Sequence, residues 1–339
     1  MTYTLGGHTF DYSSETRYSP VYEQTVRQLT LAIPGGGCQF WIKTRGKGCT
    51  FCGFPGLTRH LNLGEGHEDF FGGWQLSTDI LLRMYQTALD SDASCNKLAI
   101  FNGGSFFVDS EVAPNFRQYV YKDVAQRSNI KLLMVESRPE YIKPSHLDEA
   151  LPVLEAGKDF MVGIGVESAD DRVRNKLLAK GMHKKDIESA IRLLQSRGAK
   201  VFAYAFLKAP GLSEKEARID AINTLNYLTN IGVDEIALSC AFVPPNTPLE
   251  QRFLAGEFRP PWLWTILEVL EKAGKFHWPL SVGGFNDNPK PVAIAQNCGA
   301  CNERIMSVID RFREVGKFSK PQHCSCYTTW ETNVNTWPV

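Results

Sequence analysis

Six apolar, β-branched runs recur along the chain: LTLAIP at 29–34, KLAIFNGG at 97–104, IKLLMVES at 130–137, DFMVGIGVES at 159–168, KVFAYAFLKA at 200–209 and EIALSCAFVP at 235–244. Near-continuous apolarity over five to eight residues suits strands covered on both faces, as in a parallel sheet. The segments between them change period. Residues 77–90 place Ile80, Leu81, Met84, Tyr85 and Leu89 on one helical stripe. Residues 188–200 do the same with Ile191 and Leu194 and stop at Gly198, while 213–228 opens with Ser213 three residues before Glu216, a capping-box pattern. Six strands alternating with helices predict an α/β fold, either a doubly wound sheet or an open, partial barrel, with its chemistry at the C-terminal strand ends.

Beyond residue 245 the pattern changes. Pro, Trp and Gly become frequent, and helices are expected only around 262–273 and at 302–315. The expected organisation is an N-terminal extension at 1–28, a barrel at 29–250 and a small cysteine-rich domain at 251–339. No internal repeat or low-complexity tract is present.

Composition narrows the classes. With 43% hydrophobic and 22% charged residues the chain is globular rather than disordered. Thirty-seven basic residues cancel thirty-seven acidic ones, which argues against a protein that grips long nucleic acid unaided. The N-terminus lacks the basic flank and apolar run of a signal peptide, and no stretch is long and apolar enough to span a membrane, so a cytoplasmic protein is expected.

The nine cysteines carry the chemistry. In a reducing compartment they are poor disulfide candidates. Cys38, Cys49 and Cys52 lie directly after the first of the six runs, with ten residues between the first two and a CxxC pair closing the group. Three thiolates leave a structural zinc site one ligand short, and neither His60 nor His67 stands at a familiar spacing to complete it. A [4Fe–4S] cluster held by three thiolates instead keeps one iron open. Lys43, Arg45 and Lys47 would offset its charge, and Phe40, Trp41, Phe51 and Phe54 would shield it. A zinc site completed by a distant histidine, or three unrelated buried thiols, is the competing reading. Cys240 reads as a small buried hydrophobe, and Cys95 has no evident partner.

A cysteine triad after the first strand of an α/β barrel resembles the radical S-adenosylmethionine (SAM) superfamily. The usual spacing is CxxxCxxC; the lengthened form here looks like the branch of the Elongator catalytic subunit and the radical subunit of archaeosine synthase. ESRPE at 136–140, LKAPGLSEKEA at 207–217, RPPWLW at 259–264 and the terminal CxxC…CxC extend that likeness over roughly residues 25–330. The resemblance implies a partial (β/α)6 radical SAM barrel. Its [4Fe–4S] cluster would sit on the catalytic cysteines Cys38, Cys49 and Cys52, with SAM on the open iron, cleaved to a 5′-deoxyadenosyl radical. The implied cofactor-binding residues are Phe51, the FNGGSFF turn with Gly103, Gly104 and Ser105, and the strand-end residues Glu136, Arg138 and Glu167. Taken alone, NGGS is more often a plain turn, and the serines after Glu136 and Glu167 suit helix caps. Lys208, after another strand, is expected to be solvated at the rim.

Cys298, Cys301, Cys324 and Cys326 bracket the last predicted helix and make a closed four-thiolate site, with His323 as a substitute ligand. An auxiliary [4Fe–4S] cluster is placed ahead of structural zinc. The expected function is hydrogen abstraction from a nucleoside-like or other small biosynthetic substrate, as a transferase or lyase, fed by a reductant such as flavodoxin or ferredoxin. One alternative is a radical SAM lyase subunit that modifies a tRNA base with a partner. Another is a non-catalytic zinc-binding interaction protein.

Overall fold

The structure, a computed structural model, describes residues 2–5, 8–34, 37–53, 76–154, 157–285 and 290–336. Its strands are β1 (Thr2–Leu5), β2 (His8–Ser19), β3 (Gln24–Ala32), β4 (Lys97–Phe101), β5 (Leu132–Glu136), β6 (Asp159–Glu167), β7 (Lys200–Leu207), β8 (Glu235–Cys240) and β9 (Leu280–Gly283). They form one sheet in sequence order, antiparallel from β1 to β3 and parallel from β3 to β9. The six expected strands are its centre, an open α/β barrel. Residues on either side extend it: a hairpin adds two strands at one edge, and Leu280–Gly283 adds a seventh parallel strand at the other.

The helices are α1 (Gln39–Lys43), α2 (Thr78–Ser91), α3 (Pro114–Gln126), α4 (Pro144–Leu154), α5 (Lys184–Ser196), α6 (Glu214–Asn230), α7 (Pro248–Leu254), α8 (Leu263–Phe276), α9 (Asn302–Val315) and α10 (Cys326–Thr336). Their starts follow local chemistry. Ser77 accepts from the Ile80 N–H, and Ser213 and Glu216 form the full capping box of α6. No helix among the described residues is long and apolar enough to cross a membrane.

Two-sided burial explains why the strands read as continuous apolar runs. Outward residues such as Leu98, Ile100, Leu133, Val135, Val162 and Val201 pack against the helices. The alternate positions Ala99, Leu132, Met134, Met161, Phe202 and Ala237 fill the bore. Below them the bore holds a fully buried ion pair, Lys97 to Glu235 at 3.1 Å, and a hydrogen bond from Tyr22 to Asp159 at 2.5 Å. At the opposite, C-terminal level the inward positions Phe101, Glu136, Gly165, Tyr204 and Ser239 are only half-buried. The barrel is therefore plugged below and open above.

The C-terminal segment folds back on the same core. Helix α9 runs along the hairpin: Arg313 pairs with Glu15 at 3.1 Å, and Thr25 donates to the Glu314 carbonyl. Trp264, Ile305, Ile309 and Trp330 join the helix-side cluster of the barrel.

Candidate active site and metal centre

The cysteine loop lies across the open end and touches successive strand ends. Cys38 is the N-cap of α1, and its α-carbon abuts Gly104 just after β4. Phe40 carries the Arg138 guanidinium at 4.0 Å from its ring centre, beyond β5. The Thr50 N–H and hydroxyl donate to the carbonyls of Leu178 and Leu177, beyond β6. Phe51 packs on Phe206 of β7 with ring centres 4.5 Å apart, and Gly53 faces Pro244 beyond β8. All three thiols are half-buried. Burial pushes the Cys38 thiol up, although the Trp41 N–H opposes it. Phe54, His60 and His67 lie outside the described residues.

The FNGGSFF turn meets this loop through a residue the sequence reading missed. The buried carboxylate of Glu111 accepts from the Gln39 N–H at 2.9 Å and Asn102 Nδ2 at 3.3 Å, and from the Ser105 N–H. A side chain at Gly104 would collide with it, which explains that glycine by a close approach. Burial holds the Glu111 carboxyl up at about 7 against these donors. Ser105 also accepts the Arg138 N–H at 3.2 Å.

Two charged pairs occupy the chamber beneath the loop. Glu136, carried to the mouth as expected, accepts a hydrogen bond from Tyr204 of β7. Burial and Glu167 push its carboxyl up to about 7, while Tyr204 and Lys180 pull it down. Glu167 ends β6 in the left-handed region at φ 66° and pairs with Lys180 at 2.9 Å. Strained backbone at a buried charge is typical of functional sites. Burial works against the charge of Lys180, but Glu167 and Cys49 outweigh it and raise its pKa. Lys180 and Arg138, rather than the exposed Lys43, Arg45 and Lys47, are thus the buried cations nearest the loop. The guanidinium of Arg138 donates to Glu140 at 2.6 Å and the Lys180 carbonyl at 3.0 Å.

The glycines of β6 make room for these side chains. A Cβ at Gly163 would stand 3.2 Å from Glu136 Cγ, and one at Gly165 2.6 Å from Lys180 Nζ. Neither serine caps a helix: Ser137 donates to the Arg138 carbonyl, and Ser168 accepts the Asp170 N–H and donates to Asp220 at 2.5 Å, while Asp170 accepts the N–H groups of Arg172 and Val173. Lys208 corrects the expectation of a solvated rim residue. It is 2% exposed, has φ 76°, and pairs with Glu214 at 2.6 Å. Glu214 also accepts from the Trp262 N–H and the Thr265 hydroxyl, so two more donors hold the carboxylate that Lys208 needs. Tyr204, Glu111 and Lys180 had no distinguishing signal in the sequence. Tyr204 reads as one more apolar strand residue, and the other two fall in polar turns.

The second centre lies on the outside of the barrel. The thiols of Cys298, Cys301, Cys324 and Cys326 gather within 4.8 Å of one another, with edges of 3.6, 3.7 and 3.6 Å. Trp264 Nε1 donates to Cys326 at 3.2 Å and Asn297 Nδ2 to Cys301 at 3.7 Å, the outer-shell donors a thiolate centre uses. His323 stacks on Tyr327 at 3.6 Å and is not part of the group. Among the described residues Cys38, Cys49 and Cys52 form no such tight group. Cys95 and Cys240 are fully buried.

No family model matches the chain. It is 29% identical to the archaeosine synthase β subunit of Methanosarcina acetivorans, over 90% of this chain and 84% of that protein. It is 25% identical to an uncharacterized protein of Methanocaldococcus jannaschii, over 91% and 82% of the two chains. The queuine lyase from Clostridium spiroforme, solved bound to SAM and queuine, has the same fold, with a TM-score of 0.52 at 17% identity over 81% of this chain and 95% of that one. The open barrel is thus the fold of a lyase solved with SAM, and the chain is similar to an archaeosine synthase subunit over nearly its whole length, both in line with the radical SAM resemblance of the sequence.

Proposed function

We propose that Cys38, Cys49 and Cys52 hold a [4Fe–4S] cluster with SAM against it, and that the enzyme abstracts hydrogen from a nucleoside-like small substrate. Bound there, the two cofactors supply a 5′-deoxyadenosyl radical; the protein's part is to bind, orient and exclude water. The observation that carries this reading is the convergence of Glu136–Tyr204 and Glu167–Lys180 beneath the cysteine loop. Lys180 balances thiolate charge at Cys49, and Phe51 against Phe206 keeps water from that side. Gly103, Gly104 and Ser105 offer backbone to the SAM amino group, and Arg138 reaches the same turn through Ser105. The Glu136 carboxylate suits the N–H edge of a purine-like base, and Tyr204 donates to it at the chamber wall.

A small substrate fits a chamber closed below by Met134, Met161 and Phe202 and a chain of zero net charge. The similarity to archaeosine synthase β favours a second reading, in which the base belongs to tRNA and a partner subunit takes part. The test is anaerobic reconstitution followed by SAM, dithionite and either queuine, free nucleosides or bulk tRNA. Deoxyadenosine formation stimulated by the free base or nucleoside is the expected result. Stimulation by tRNA alone transfers the assignment to the second reading, and absence of iron uptake and deoxyadenosine removes both.

At the four-thiolate centre we place a single zinc ion, reversing the order expected from sequence. Bonds of about 2.3 Å in a regular tetrahedron give thiolate edges of about 3.8 Å, close to those present here. A cube of four irons would hold the same thiolates farther apart. In a Cys38→Ala, Cys49→Ala, Cys52→Ala variant, one zinc and no iron is expected by metal analysis; about four irons would mean an auxiliary cluster.

A further inference from the structure

Position 38 is where a helix of this kind would ordinarily carry Ser, Thr, Asp or Asn, whose side chain satisfies the orphan N–H groups of the first turn. Here it is a cysteine, whose sulfur is only a weak acceptor for the Trp41 N–H and leaves the Gln39 N–H to another partner. That partner comes from far along the chain. Glu111, 3% exposed and seven residues beyond Gly104, sends Oε1 to the Gln39 N–H and Oε2 to the Ser105 N–H and Asn102 Nδ2. One carboxylate therefore caps the helix that starts at Cys38 and pins the glycine turn after β4, while Gly104 lies directly against the Cys38 α-carbon.

We infer that Glu111 is a positioning residue that fixes the Cys38 end of the cysteine loop relative to the Gly103–Ser105 turn, so that one side chain sets the distance between cluster and SAM. The inference rests on the cluster and SAM assignment proposed above. A carboxylate is required because both of its oxygens accept; an amide of the same size has one acceptor and would turn its NH2 toward a donor on the other side. Among the described residues, the loop's other ties, through Phe40, Lys43, Thr50, Phe51 and Gly53, lie beyond Cys38 and reach the ends of strands β5 to β8.

Two variants test this. Glu111→Gln removes one of the two acceptors. Gln39→Pro removes only the donor: proline fits the first position of a helix, and Cys38 already has the extended backbone (φ −65°, ψ 119°) that precedes proline. In the metal-free protein, alkylation of Cys38, followed by peptide mass spectrometry, is expected to rise at least fivefold relative to Cys52 in both variants. In the reconstituted protein, both are expected to take up iron as the wild type does. Their SAM dissociation constant, read from the SAM-induced change in the electron paramagnetic resonance signal of the reduced cluster, is expected to rise at least tenfold. Wild-type labelling and a wild-type SAM response would overturn the inference. So would faster labelling of every cysteine, including buried Cys95 and Cys240, which marks general unfolding rather than positioning. If the wild type takes up no cluster, the assignment beneath the inference fails, and the Cys38 labelling ratio alone decides whether Glu111 positions the loop.

Discussion

Gly165 shows how a residue without a side chain can decide a site. Its missing Cβ is the space that Lys180 Nζ and Glu167 Oε1 share, at 2.6 and 2.7 Å from where that carbon would stand. Gly165→Ala is expected to separate the pair and destabilise the fold by about 1–3 kcal/mol, the usual range for overpacking, measurable by urea denaturation. Glu136 predicts a pH dependence of opposite sense to that of most carboxylates. Its folded pKa is raised from 4.5 to about 7. Between those values the native state holds more protons than the unfolded chain, so stability falls as pH rises through that window. Denaturation of the metal-free protein from pH 4.5 to 8 should show a shallower decline for Glu136→Gln than for the wild type. An equal slope would mean that Glu136 does not titrate there. The sequence places Glu136 at a strand end but not the neighbours that raise its pKa, and Gly165 is one of twenty-eight glycines.

At the scale of elements, helix α6 combines a local signal and a distant one. The local part is the capping box of Ser213 and Glu216, legible from spacing alone. Ser213→Ala is expected to cost about 1 kcal/mol. The distant part is Glu214, the next residue, which binds Lys208 at the end of β7 and the Trp262 N–H and Thr265 hydroxyl at the start of α8. Trp330 of α10 donates to the same Thr265 at 2.8 Å. Glu214→Ala would leave an unpaired buried lysine and two donors without an acceptor, and is expected to cost about 3–5 kcal/mol. Chemical denaturation of the two neighbouring variants should therefore separate them severalfold; similar losses would show that the buried network contributes little. The same network shows why Lys208 could not be placed from its own neighbourhood: its partner Glu214 is itself held by donors at the start of α8.

At the scale of the molecule, the C-terminal segment belongs to the barrel's architecture. Strand β9 covers the edge of β8, and Trp264, Ile305, Ile309 and Trp330 complete the cluster outside the sheet. A chain ending at residue 250 is expected to lose cooperative thermal unfolding and near-ultraviolet circular dichroism, because it would expose Leu238 and its neighbours along an unpaired edge. A sharp, wild-type-like transition in that truncated chain would show the barrel to be self-sufficient. Removal of the zinc proposed for the four-thiolate centre should have a milder form of the same effect. The two cysteine pairs tie the start of α9 to the start of α10, so the metal-free protein is expected to melt at a lower temperature with the barrel intact.

The sequence by itself determined the layers and the reactive loops. Alternating periods of two and 3.6 mark strands and helices because side-chain direction repeats with the backbone, and cysteine spacing marks metal loops because chelation is local. For that reason the six central strands, the capped helices and the grouping of the four C-terminal cysteines were legible. Only the tertiary structure decided which charges face the cysteine loop. Glu111 and Lys180 reach it from separate turns, Tyr204 donates to Glu136 from the next strand but one, and their burial, pairing and raised pKa values exist only in the folded chain. The four terminal thiolates follow the same division. Their grouping is local and readable, but the distances that distinguish one ion from a cube of irons exist only once α8, α9 and α10 have packed together.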